Sequence, residues 1–112
     1  MSLDIYLYID VDAGSSEPTR ITLLDRNITH NLGRMWQLAG VYDALYERDG
    51  QVAGDTWRTL MAGVEFMKTH PAECRALDSP NGWGTYKDAL PWLEEVTEAF
   101  RKHPKATIGV SR

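Results

Sequence analysis

Near the start of the chain, Leu3, Ile5, Leu7, Ile9 and Val11 alternate without a break with Asp4, Tyr6, Tyr8, Asp10 and Asp12. A strict period of two places one set on each side of an extended strand, so this segment reads as a β-strand with one face buried. Such a strand needs a layer over its apolar face, and its other face, polar and aromatic, can stay uncovered. Ala13-Gly14-Ser15-Ser16-Glu17-Pro18 follows as a turn cluster. Thr19 to Ile28, rich in β-branched residues and leucine, reads as a second strand. A connection that short implies an antiparallel hairpin.

The period then switches. Leu32, Met35, Trp36, Ala39, Tyr42, Leu45 and Tyr46 recur at three- and four-residue intervals, which predicts one amphipathic helix ending before Asp49-Gly50. Thr29 or Asn31 is its expected N-cap. A second helix is expected after an Asp55 cap, with Trp57, Leu60, Met61, Val64 and Met67 as its stripe. His70-Pro71 ends it, because proline disfavours helical backbone in the residue before it. A short helix from Pro71 to about Leu77 is expected next. The Thr85-x-x-Asp88 start introduces a last helix to about Lys102, carrying Tyr86, Leu90, Leu93, Val96 and Phe100 and kinked at Pro91. Lys105 to Val110 alternates again as a terminal strand. These elements predict one α+β domain over residues 1–112: a three-stranded antiparallel sheet, made of the hairpin and the C-terminal strand, with three to four helices on one face.

Charge narrows the function classes. The chain has 112 residues and a net charge of −4, with Lys and Arg scattered and only a small basic cluster at Arg101, Lys102, His103 and Lys105. That is not the basic stripe of a nucleic-acid binder. The single cysteine, Cys74, has no partner for an internal disulfide and reads as a small core thiol. No basic and apolar leader opens the chain, and no apolar run is long enough to span a bilayer, so a cytoplasmic protein is expected. His30, His70 and His103 lack metal-ligand spacing, and neither metal nor cofactor is expected. Asp10 and Asp12 share a strand face and read as solvated carboxylates.

Two segments carry more chemistry than packing requires. Asn27-Ile28-Thr29-His30-Asn31 spans the junction from the second strand into the first helix, where free backbone N–H groups at a helix start favour an anion or a carbonyl. His30 adds a group that titrates near neutrality, and Asn27 and Asn31 add paired donors and acceptors. Asn81-Gly82-Trp83-Gly84-Thr85-Tyr86 sets an indole between two glycines, as a stacking surface or as a plug over the core. The pairing of "NITHNLGRM" with "NGWGTY", followed by a helix and a terminal "IGVSR", resembles a group of small uncharacterised proteins of tailed phages and some bacteria. The resemblance covers most of Asn27 to Arg112 and implies a phage origin, hence a host cytoplasm, but no reaction and no catalytic residue.

Taken together, the sequence predicts a non-enzymatic binding module. Asn27, Thr29, His30, Asn31, Asn81, Trp83 and Tyr86 are its expected ligand-binding residues, and the ligand is a small polar molecule or a host protein segment. A second reading is a protein-interaction surface or homodimer built on Tyr6 and Tyr8, because tyrosine is enriched at interfaces. A third is a small hydrolase with His30 as general base, for which the sequence offers no adjacent nucleophile or orienting carboxylate.

Overall fold

The computed structural model describes residues 2–12, 14 and 16–112. Ala13 and Ser15 of the expected turn cluster therefore lie outside the described residues. Three strands, β1 (Ser2–Val11), β2 (Thr19–Thr29) and β3 (Thr107–Ser111), form an antiparallel sheet in the order β2-β1-β3. The alternation read from the sequence sorts β1 as expected. Leu3, Ile5 and Leu7 are fully buried, while Tyr6 and Tyr8 are only half-buried and Asp10 is exposed. Removing each such aliphatic side chain from water stabilises the fold by about 1.5–3 kcal/mol.

Register follows from the same pattern. Leu3 faces Ile28 and Leu7 faces Leu24, which keeps the apolar residues of β2 on the helix side. Between Leu7 and Tyr8 the pairing jumps from Leu24 to Thr22, so Leu23 is a bulge. The outer edge of β3 is closed by the 49–53 segment: Gly50 N donates to Ile108 O at 2.8 Å, Ile108 N to Gln51 O at 2.7 Å, and Ala53 N to Ala106 O at 2.9 Å. The edge of β2 instead carries exposed Arg20, Asp25 and Arg26, charges that discourage strand addition.

The helices lie on one face of the sheet. They are α1 (Gly33–Ala39), α2 (Tyr42–Tyr46), α3 (Trp57–Thr69), α4 (Pro71–Arg75) and α5 (Tyr86–Lys102). Ala89, Leu93, Val96 and Phe100 of α5 and Leu60, Val64 and Met67 of α3 are the buried stripes. Trp36 of α1 is fully buried beside Trp92 of α5, with ring centroids 5.7 Å apart. Pro71 stands at the first turn of α4, which stops at Arg75, and α5 runs unbroken through Pro91. None of the described helices is long and apolar enough to cross a membrane.

The first helix departs from expectation. The single stripe from Leu32 to Tyr46 is divided at Gly40, whose φ of 77° is left-handed and ends α1. The stripe residues still turn inward, because Val41 re-enters the core and Leu45 N bonds Val41 O at 2.9 Å. Asp55 also does not cap α3. It lies in a 3-10 turn, Ala53–Asp55, and α3 begins two residues later without a side-chain cap.

The break lets α3 approach the α1–α2 corner closely. A Cβ placed on Gly63 would run into the Val41 side chain. Gly63→Ala would gain about 1 kcal/mol of helix propensity, yet the expected net effect is a loss of about 1–3 kcal/mol from overpacking against a fixed β-branched side chain. A urea midpoint unchanged or raised in Gly63→Ala would contradict this packing.

Candidate functional site

β2 ends on the uncovered side of the sheet. Asn27 stands opposite Asp4, and Thr29 opposite Ser2. The Asn27 side-chain N–H2 donates to Asp4 Oδ1 at 2.6 Å, which fixes the amide plane. Thr29 is extended, and its Oγ1 accepts from Asn31 N at 3.4 Å, so of the two expected caps it is Thr29 that serves. It caps a single 3-10 turn, His30–Leu32, and the helix that follows has seven residues. The sequence expected a long helix behind this junction. The Gly40 break removes it, and with it much of the aligned dipole that would favour an anion.

The second segment is stapled by its own polar groups. Asp78 Oδ1 accepts from Tyr86 N at 2.7 Å and so caps α5, the role expected of Thr85. Asn81 Oδ1 accepts from Trp83 N at 2.9 Å and from Ser79 Oγ at 2.7 Å, and Ser79 N donates to Gly84 O at 3.0 Å. Gly84, at φ 106°, then presses against the 3-10 turn; a Cβ there would lie 2.9 Å from Asn31 Cβ. Asn31 Nδ2 donates to Trp83 O at 3.0 Å. Two stretches more than fifty residues apart in sequence thus share one wall.

Between them lies a hollow of about 630 Å³, lined by Ser2, Asn27, Thr29, His30, Asn31 and Trp83. Trp83 is 71% exposed, so its indole is not a plug over the core. Of the residues singled out from sequence, Asn27, Thr29, His30, Asn31 and Trp83 meet here. Asn81 does not line the hollow; it shapes the loop that carries Trp83. Tyr86 does not reach it at all, being 8% exposed with its hydroxyl donated to Met67 O at 2.8 Å.

His30 has a partner that the sequence did not single out. Its Nδ1 lies 3.1 Å from the Tyr46 hydroxyl, and the two rings stack with centroids 5.8 Å apart. Tyr42 stacks on Tyr46 at 4.4 Å, and the Arg112 guanidinium sits 5.6 Å from the Tyr46 ring. Tyr46 belongs to a core stripe, and nothing in its spacing says that its hydroxyl reaches a histidine sixteen residues away. Burial pushes the Tyr46 phenol above its ordinary pKa, neighbouring Tyr42 adds to the rise, and Arg112 partly offsets it. Among the described residues, no carboxylate hydrogen-bonds His30, and no hydrogen bond joins it to Ser2 or Thr29.

The other candidates are occupied. Asp10 pairs with Arg20 at 3.2 Å, and Asp12 Oδ1 accepts from Gly14 N at 2.9 Å. Arg20 also lies 3.9 Å from the Tyr8 ring centroid, while Gly109 packs against Tyr6. Cys74 is fully buried, and burial raises its thiol pKa, away from the reactive thiolate. Among the described residues, no three His, Cys, Asp or Glu side chains cluster as a metal site requires. No protein-family model matches the chain, and no curated protein and no solved structure matches it either.

Two outcomes test this geometry. Gly84→Ala meets both a left-handed backbone and the Asn31 side chain, so a loss of about 2–4 kcal/mol is expected, together with changed near-ultraviolet ellipticity from Trp83. A fully stable Gly84→Ala with an unaltered tryptophan signal would contradict the close approach. For Tyr46, the folded pKa lies above the unfolded value near 10, so its contribution to stability is complete below that pH and is lost as pH rises through the folded pKa. A titration at 295 nm, taken as wild type minus Tyr46→Phe, is expected to have its midpoint above 10. A midpoint at or below 10 would show an unburied phenol.

Proposed function

We propose that this protein is a non-enzymatic binding module whose ligand seats in the hollow between the end of β2 and the Trp83 indole. The observation that carries the reading is the Asn31–Trp83 hydrogen bond, with Gly84 pressed against Asn31, because it tethers the backbone that carries an exposed indole beside amide, hydroxyl and imidazole groups. A solvent-facing tryptophan on a tethered backbone costs hydrophobic free energy in the free protein and gains it when a flat partner covers the ring. Loops positioned by a rigid scaffold are the usual place for recognition. The ligand is a small polar molecule or a polar segment of a host protein. The phage-type motifs favour a role inside an infected cell.

The tyrosine face supports a second reading less well. Tyr6 and Tyr8 border a hollow of about 410 Å³ with Arg20, Asp49 and Gly109, but Arg20 already covers the Tyr8 ring. Immobilised protein, tested against host lysate and a polar metabolite set, is expected to retain its ligand in wild type and Tyr8→Ala and to lose it in His30→Ala and Trp83→Ala, with all variants folded by circular dichroism. Retention by Trp83→Ala with loss in Tyr8→Ala would transfer the site to the tyrosine face.

A further inference from the structure

The hollow's lining also defines a ligand class, an inference that rests on the binding reading above. Among the described residues, the lining of Ser2, Asn27, Thr29, His30, Asn31 and Trp83 includes no Lys, Arg, Asp or Glu. A phosphate or carboxylate ligand would find no cationic side chain in this lining, and the backbone N–H of Asn31 is already taken by Thr29. A polyamine would find no carboxylate in the lining, because Asp4 stands behind Asn27 and accepts its amide. A lipid would meet a single apolar surface, Trp83.

What remains is a set of neutral groups with fixed polarity. Asn27 and Asn31 each commit one N–H of the side-chain amide internally, to Asp4 Oδ1 and Trp83 O, and neither amide oxygen accepts from a described residue. Both oxygens are therefore available as acceptors. The Thr29 oxygen accepts from Asn31 N, which leaves its O–H to donate outward. His30 Nδ1 is engaged by Tyr46, which leaves its other ring nitrogen for a ligand. A hydroxyl donates and accepts through one atom, so neighbouring hydroxyls on a ring satisfy an alternation of acceptors and donors that a purely cationic or anionic ligand cannot. The exposed indole supplies the other half of such recognition, a flat π-face for the C–H side of a saturated ring. The hollow's size, about 630 Å³, falls within the span of small-ligand sites.

We infer that the hollow binds a neutral polyhydroxylated ring, a saccharide unit, stacked on Trp83 and hydrogen-bonded by Asn27, Thr29, His30 and Asn31. Asp4 acts through Asn27 as a positioning residue, holding the amide so that its oxygen faces outward.

Amide and indole chemical shifts of the 15N-labelled protein report the test, with four probe sets added separately to millimolar levels: neutral oligosaccharides of glucose, N-acetylglucosamine and mannose; inorganic phosphate; spermidine; and short polar peptides. At least one oligosaccharide is expected to shift Asn27, His30, Asn31 and the Trp83 indole in a saturable way. Trp83→Ala should weaken that binding about tenfold or more, and Trp83→Phe should restore part of it. Asp4→Ala, which touches no ligand, should weaken binding while the folded spectrum is kept. Saturable shifts at these residues from phosphate, spermidine or peptide, with the saccharides silent, would overturn the saccharide class and leave the hollow as a binding site. Saccharide shifts confined to the Tyr6–Tyr8 face would overturn both. Silence of all four sets at the hollow would overturn the saccharide proposal.

Discussion

The fold depends on the inner row of β1. Leu3, Ile5 and Leu7 are fully buried at the centre of the sheet, and the strand is paired on both sides, so β2, β3 and the helical layer are all positioned by it. A slip of one residue would turn this row toward solvent and bring Asp4, Tyr6 and Tyr8 against the helices, a change too costly for the register to be ambiguous. Because the register is fixed, Asn27 must stand opposite Asp4 and Thr29 opposite Ser2. The polar end of the sheet is thus a consequence of the apolar middle.

From there the site is assembled by two local devices. The first is the Thr29 cap, which turns the chain out of the sheet within one 3-10 turn and leaves Asn31 exposed and His30 half-buried at the sheet's corner. The second is the self-bonded 79–84 loop, in which Asn81 shapes the backbone and Gly84 permits contact with Asn31. Among the described residues there, the Trp83 indole is the large apolar group left exposed. That exposed indole is the feature on which the proposed binding role rests.

The extent to which this was legible in the sequence follows the range of the interactions involved. The strands, α3 and α5 are declared by periodicity, because burying one face is a local demand on spacing. The break at Gly40 was missed because a glycine inside a continued stripe is compatible with an unbroken helix; only the left-handed φ and the return of Val41 to the core reveal it. Tyr86 was assigned to the site because it adjoins Trp83, yet it is the first residue of α5 and its ring turns inward to Met67. Tyr46 shows the opposite error. Its stripe position marked it as core, which it is, and concealed that its hydroxyl engages His30. Ser2 and Asp4 entered the site through strand pairing alone, which spacing within a single segment does not disclose.

The account stands on the contact that joins the end of β2 to the tryptophan loop. Nuclear Overhauser spectroscopy of the free protein measures it directly, through cross-peaks between the Gly84 α-protons and the Asn31 β-protons and between the Asn31 side-chain amide and Trp83. Strong cross-peaks at both pairs are expected from the close packing of Gly84 on Asn31 and the 3.0 Å hydrogen bond. Their absence in a protein that still shows the β1–β2 register would mean that the two segments are apart in solution, and the hollow would no longer exist as a site.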